Sequence, residues 1–244
     1  MNNEDNFWCF GSFLQARNTG TGGICKGSAP LSAFPSFAVM DGMGGESCGE
    51  EAAFLAAEEF GRFLEGHRQE LPEDYQAFFR KLCDSMNGKV VRYAVENHIR
   101  AMGSTTVFLC FDRKTAYAGN LGDSRLYLLS GGELRQLSTD HVYAREKGQK
   151  GPLLQYLGAM EPDTLLDPSP VALKLRQGDK FLLCTDGVTD MLVEEELKEI
   201  LLTSKEPEDC AEQLLCRALE AGGRDNITAI VCDYRKRGIF SLRR

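Results

Sequence analysis

The sequence predicts one α+β domain, on three observations. β-rich runs stand early, in the middle and at the end of the chain, and helical stripes come in pairs between them. No repeat, low-complexity tract or linker divides the 244 residues. A chain of this length buries a sizeable core. Its net charge of −8 speaks against a nucleic-acid footprint and favours cation binding. No apolar run approaches a membrane span, and the N-terminus lacks a signal-peptide pattern. The nine cysteines include no C-x-x-C pair and suit free thiols in a reducing, cytoplasmic setting. The three histidines lie far apart, which speaks against a zinc centre of His and Cys.

The elements follow in order. Phe7 to Phe10 reads as a first strand, and a Gly-, Ser-, Thr- and Pro-rich loop over residues 18–36 leads to a second, Phe37 to Met40. That strand is expected to end on Asp41, with Gly42, Gly44 and Gly45 following at once. Ser47 and Glu50 have capping-box spacing, which opens a helix. Ala53, Ala56, Phe60 and Leu64 keep helical spacing, as do Tyr75, Phe79, Leu82, Met86, Val90 and Tyr93. From Gly103 the period changes to two. Thr105–Phe111, Thr115–Ala118, Arg125–Leu129 and Glu133–Leu137 predict a meander. Residues 138–169 contain Gly148 to Pro152 as loop and Leu153 to Leu157 as a short apolar piece. Val171–Leu175 and Lys180–Thr185 predict a hairpin around Gln177-Gly-Asp179. Helices are expected over Glu194–Leu202 and Glu208–Ala221, the second stopped by Gly222-Gly223. A last strand, Ile227 to Asp233, precedes a basic tail over residues 235–244.

Four acidic turns stand out along this path: Asp41-Gly42, Gly122-Asp123, Asp186-Gly187 and Gly223-Arg-Asp225. Asp41 and Asp186 close apolar strands, Asp123 sits between strands, and Asp225 opens one. Singly, each reads as ordinary turn chemistry. Carboxylates at strand ends can converge on one edge of a sheet sandwich, where their mutual repulsion calls for cations. Oxygen-only ligands select hard ions such as Mg²⁺, Mn²⁺ or Ca²⁺. Asp179, a Gly-Asp pair in a plain turn, serves as an internal contrast.

On these residues the chain resembles the metal-dependent protein serine/threonine phosphatases, the PPM or type 2C family, in their compact bacterial form. The resemblance runs from Asn3-Glu-Asp5 to about Asp233. It is carried by Phe37-Ala-Val-Met-Asp-Gly-Met-Gly-Gly45, Gly103-Ser-Thr-Thr106, Gly119-Asn-Leu-Gly-Asp-Ser-Arg125, Thr139-Asp-His141, Cys184-Thr-Asp-Gly-Val-Thr-Asp190 and Gly223-Arg-Asp-Asn-Ile-Thr228. It implies a four-layer α-β-β-α sandwich, with two mainly antiparallel sheets flanked by helix pairs, over residues 1–234. It further implies two Mn²⁺ or Mg²⁺ ions, Asp41 bridging them, Gly42 giving a carbonyl, Asp186 and Asp225 holding one ion, and Glu4 acting through water. A third, weaker ion would involve Asp123 and Asp190 with Asp186. The implied reaction is hydrolysis of phosphoserine or phosphothreonine in a protein by a hydroxide shared between the two ions, with no phosphoenzyme. The implied setting is a cytoplasmic, monomeric signalling enzyme working against a cognate Ser/Thr kinase.

The chain also departs from the family pattern. The Arg that the family carries four residues before the matching Glu would fall ahead of Met1, so the first strand reads as truncated. Glu46 stands where relatives often have His, and the segment between His141 and Leu157 is shorter than the usual flap. The alternative to an active enzyme is therefore a catalytically weak binding or regulatory module. If another residue holds the phosphate, Arg17 is the first candidate.

Overall fold

The computed structural model describes residues 3–21, 23–43, 48–67, 74–143, 151–160 and 165–235. Gly44, Gly45, Glu46, Ser47, residues 144–150 of the shortened flap and the tail beyond Arg235 lie outside them. Among the described residues, ten strands form two antiparallel sheets. One sheet holds β1 (Asp5–Cys9), β2 (Ser36–Met43), β4 (Thr106–Asp112), β5 (Thr115–Leu121) and β8 (Val171–Lys174) in that order, with β3 (Gly103–Ser104) added to β2. The other runs β10 (Ala229–Asp233), β9 (Lys180–Cys184), β6 (Arg125–Ser130), β7 (Glu133–Gln136). Helices α1 (Gly49–His67) and α2 (Tyr75–Glu96) lie on the first sheet; α3 (Asp186–Thr189), α4 (Glu194–Thr203) and α5 (Pro207–Glu220) lie on the second.

Side-chain alternation builds the four layers. In β2, Ala38 and Met40 face the α1–α2 core, while Phe37 and Val39 enter the layer between the sheets. In β4, Phe108 and Cys110 face the helices, and Val107, Leu109 and Phe111 face the other sheet. In the second sheet, Leu126, Leu128, Phe181 and Leu183 fill the inter-sheet layer, and Tyr127, Leu129, Leu182 and Cys184 pack under α4 and α5. Strands buried on both faces read as nearly continuous apolar runs for this reason.

Four expectations differ from the structure. β2 does not end on Asp41: Asp5 pairs with Asp41, and β3 pairs Ser104 with Gly42, so partners on both sides carry the strand through Asp41 to Met43. The meander is broken, because β5 pairs with β4 whereas β6 pairs with β7 and β9; the chain changes sheet at Gly122-Asp123-Ser124. The proposed hairpin is likewise two strands of different sheets, β8 on β5 and β9 between β6 and β10. The last strand also starts later than expected, at Ala229, leaving Asp225 in the preceding loop. Of the flap, a narrow stem is described, with Val142 bridged to Leu153 and Leu154 N–H donating to the His141 carbonyl at 2.7 Å.

Candidate active site

The same alternation that fills the inter-sheet layer also sets its end. One step beyond Phe37 and Val39 on the same face of β2 comes Asp41, and one step before Phe7 and Cys9 on β1 comes Asp5. Thr105 precedes Val107, Ser124 precedes Leu126, Thr185 follows Leu183 and Thr228 precedes Ile230 by the same two-residue step. Six strands thus place a polar layer at one end of an apolar one. Its members bond across the sheets. Thr185 Oγ1 donates to Asp5 Oδ2 at 2.8 Å and accepts from Thr228 N–H at 3.1 Å. Thr105 Oγ1 accepts from Asp41 N–H at 3.1 Å and lies 2.7 Å from Ser124 Oγ.

The carboxylates crowd against one another there. Asp5 and Asp41 face each other across the β1–β2 ladder, and Asp186 comes within hydrogen-bonding reach of Asp41. Burial, then Asp5 and Asp186, hold the Asp41 carboxyl well above the usual carboxylate range. Asp5 is 2 % exposed, and burial pushes it up to about 7 against the lowering effect of its bonds to Thr228 and Thr185. Asp225 is exposed in its loop, and its charge still acts on Asp5, Asp41 and Glu4. Glu4 is raised by burial, Glu50 and Asp225.

Backbone approach completes the corner. Gly42 N–H donates to the Glu4 carbonyl at 3.1 Å, and Glu4 N–H donates to Asn226 Oδ1 at 2.8 Å. A methyl group on Gly42 would run into the carbonyls of Gly49 and Glu4, and one on Gly187 into that of Asn226. Asp123 lies in the turn where the chain changes sheet, two residues before the Arg125–Cys184 pair that ends the β6–β9 ladder, and Asp186 opens α3 two residues beyond that pair. Asp190 is exposed at the end of α3, with its N–H bonded to the Asp186 carbonyl at 2.8 Å. Asp179 is remote from all of this: it accepts from Ser130 Oγ at 2.6 Å and Arg176 N–H at 2.7 Å.

The donor set fits hard divalent cations. Every group that gathers there is an oxygen donor, and a cation would offset both the burial and the mutual repulsion that raise the Asp5 and Asp41 carboxyls. Among the described residues, no three His, Cys, Asp or Glu side chains already stand together at metal-ligating spacing. Asp41 and Asp186 make a contacting pair, and Asp5 and Asp225 act on it as charges.

Sequence reasoning missed Asp5, Thr105, Ser124, Thr185, Asn226 and Thr228. Their signal was parity: each continues an inward-facing series by two, but the polar residue breaks the apolar pattern by which such a series is recognised. Arg17 is exposed; the neighbouring Asn18 accepts from Asn3 N–H at 3.1 Å, and Arg17 lies close enough to act on Tyr93 beside Glu51.

Comparison with known proteins agrees with this fold. The family model described as Protein phosphatase 2C matches residues 27–220. The chain is 32% identical over 222 residues to the serine/threonine phosphatase stp of Listeria monocytogenes, covering 82% of this chain and 84% of the relative. It is 28% identical over 201 residues to the protein phosphatase PhpP of Streptococcus pneumoniae, covering 78% and 82%. Among solved structures, the catalytic domain of the phosphatase PstP in complex with two manganese ions superposes with a TM-score of 0.72 at 26% identity, covering 88% of this chain and 95% of that one. With most of its length matched by one family model and its sheets and helices arranged in accord, the chain belongs to the protein phosphatase 2C family.

Proposed function

We propose that this protein phosphatase removes phosphate from phosphoserine and phosphothreonine in proteins, using two Mn²⁺ or Mg²⁺ ions held by Asp41, the Gly42 carbonyl, Asp186 and Asp225. The observation that carries the proposal is the contact between Asp41 and Asp186 from opposite sheets, with Asp5 buried beside them. Bound there, such ions would supply the Lewis acidity that activates water and offsets charge on the phosphoryl oxygens. The chain's own contribution is positioning. Thr105 fixes the backbone at Asp41, Thr185 holds Asp5, and the apolar inter-sheet layer closes the floor against water. Glu4, anchored by Asn226, would act through water at the rim, and Asp123 and Asp190 would serve a third ion with Asp186. Water is the attacking group in this reading. Burial pushes the Cys184 thiol up to about 12 and raises that of Cys48, which suits neither for nucleophilic attack at neutral pH.

The test is hydrolysis of an aryl phosphate and of a phosphothreonine peptide, side by side, by chelator-treated protein with and without added Mn²⁺. Expected is turnover of both only with Mn²⁺, lost in Asp41→Asn. Turnover that ignores the metal, or survives in Asp41→Asn, would overturn the reading.

A further inference from the structure

His141 belongs to the Thr139-Asp-His141 segment, and the reaction above gives it no part. It is 7 % exposed, and both of its ring nitrogens are engaged. Gly122 N–H can only donate, so Nδ1, 3.3 Å away, is the acceptor. A neutral ring then carries its proton on Nε2, which donates to Ser169 Oγ at 2.9 Å. The backbone repeats the connection, with His141 N–H donating to the Gly122 carbonyl at 3.0 Å. That carbonyl also accepts from Asn120 Nδ2 at 3.2 Å.

Two features give this relay a purpose. Gly122 has φ +97°, the left-handed region, at the point where the chain leaves one sheet for the other. The next residue is Asp123, two residues before the Arg125–Cys184 pair that ends the β6–β9 ladder, and Asp186 follows that pair by two on the other strand. At the far end, Ser169 is itself held at φ +44°, uncommon for a residue with a side chain, and Pro168 beside it accepts from Asn120 N–H at 2.7 Å. The return segment to β8 thus braces the imidazole from behind, and the imidazole braces the turn.

We propose that His141 is a positioning residue that fixes the Gly122–Asp123 turn and so sets how Asp123 presents its carboxylate to a divalent cation beside Asp186. The part about the cation rests on the function proposed above; the bracing of the turn does not. The test uses the full chain and Mn²⁺ alone as probe. Amide hydrogen exchange over residues 119–127 is compared in wild type, His141→Ala and His141→Asn, followed by Mn²⁺ titration by calorimetry and by rate.

In His141→Ala, exchange at the turn should quicken about tenfold or more, and the Mn²⁺ concentration for half-maximal rate should rise several-fold. KM for phosphopeptide at saturating Mn²⁺ should stay within about twofold. Asn can offer Oδ1 to Gly122 N–H, so His141→Asn should recover most of both effects. If His141→Ala fails to fold, the Asn variant and Ser169→Ala, which removes only the rear brace, carry the same comparison at smaller amplitude. Unchanged exchange at the turn in the folded variants overturns the proposal, as does His141→Asn behaving no better than His141→Ala. Asp123→Asn separates the two layers of the argument: the double variant with His141→Ala should need no more Mn²⁺ than Asp123→Asn alone. If Asp123→Asn leaves the Mn²⁺ dependence untouched, the third-ion reading fails, while exchange at the turn still decides for or against His141.

Discussion

Asp186 and Asp179 are both Gly-adjacent acids near the two ends of β9, and they serve opposite purposes. Asp179 is 2 % exposed and satisfied by Ser130 and Arg176, so its carboxylate closes a turn. Asp179→Asn should lower Tm and leave the metal-saturated rate of the folded fraction near wild type. Asp186→Asn should do the reverse, with Tm held and the Mn²⁺-dependent rate down at least about 10–100-fold. Thermal melts and rates on the same samples check both; equal rate losses would remove Asp186 from the site. Arg17 is exposed, and if it meets the substrate phosphate, losing such a charged contact costs about 1.5–3 kcal/mol. Arg17→Ala should therefore raise KM for phosphopeptide about ten- to a hundredfold with calorimetric Mn²⁺ affinity unchanged, and an unmoved KM would exclude it as a phosphate contact.

β9 and β10 join the two sheets chemically as well as by packing, and Thr185 at the end of β9 is the joint. It is fully buried, donating to Asp5 of the first sheet and accepting from Thr228 of the second. Thr185→Val keeps the shape and removes both bonds. Leaving buried partners unsatisfied costs about 1–3 kcal/mol, a Tm fall of several degrees in a chain this size; an unchanged melt would show that water replaces the hydroxyl. Elements such as this explain what the sequence disclosed and what it hid. Helices α1 and α2 and most strand positions were legible, because period 3.6 and period 2 are local properties. Which sheet a strand joins is not local. Val171–Leu175 and Lys180–Thr185 flank turn residues as a hairpin would, yet their partners lie in Thr115–Ala118 and in Arg125–Leu129 with Ala229–Asp233. Asp41 and Asp186 were found because glycines mark them, whereas Asp5 was passed over because nothing beside it signals a turn.

The assembled acidic corner makes stability depend on pH and metal together. Asp5 carries a folded pKa of about 7 and Asp41 is raised well above its ordinary value, so without metal the folded chain holds protons that the unfolded chain has released. That contribution is full below the ordinary Asp range near pH 4 and is lost as pH rises through about 7. Chelated protein should thus lose Tm between pH 5 and pH 8 from this source, and Mn²⁺ should restore more at pH 8 than at pH 6. A Mn²⁺ increment independent of pH would mean that these carboxyls are ionised before metal arrives.

The hydrogen bond from Glu4 N–H to Asn226 Oδ1 joins residues 222 positions apart, and Thr185 meets Asp5 across 180. A ribosome delivers the first of these partners long before the second, so a nascent chain can wind α1 and α2 while its acidic corner still lacks one wall. Contacts of such separation also form late in refolding from denaturant. Helical circular dichroism should therefore return before Mn²⁺-dependent turnover does, and enzymatic competence should arrive as a single event when the chain's two distant ends meet.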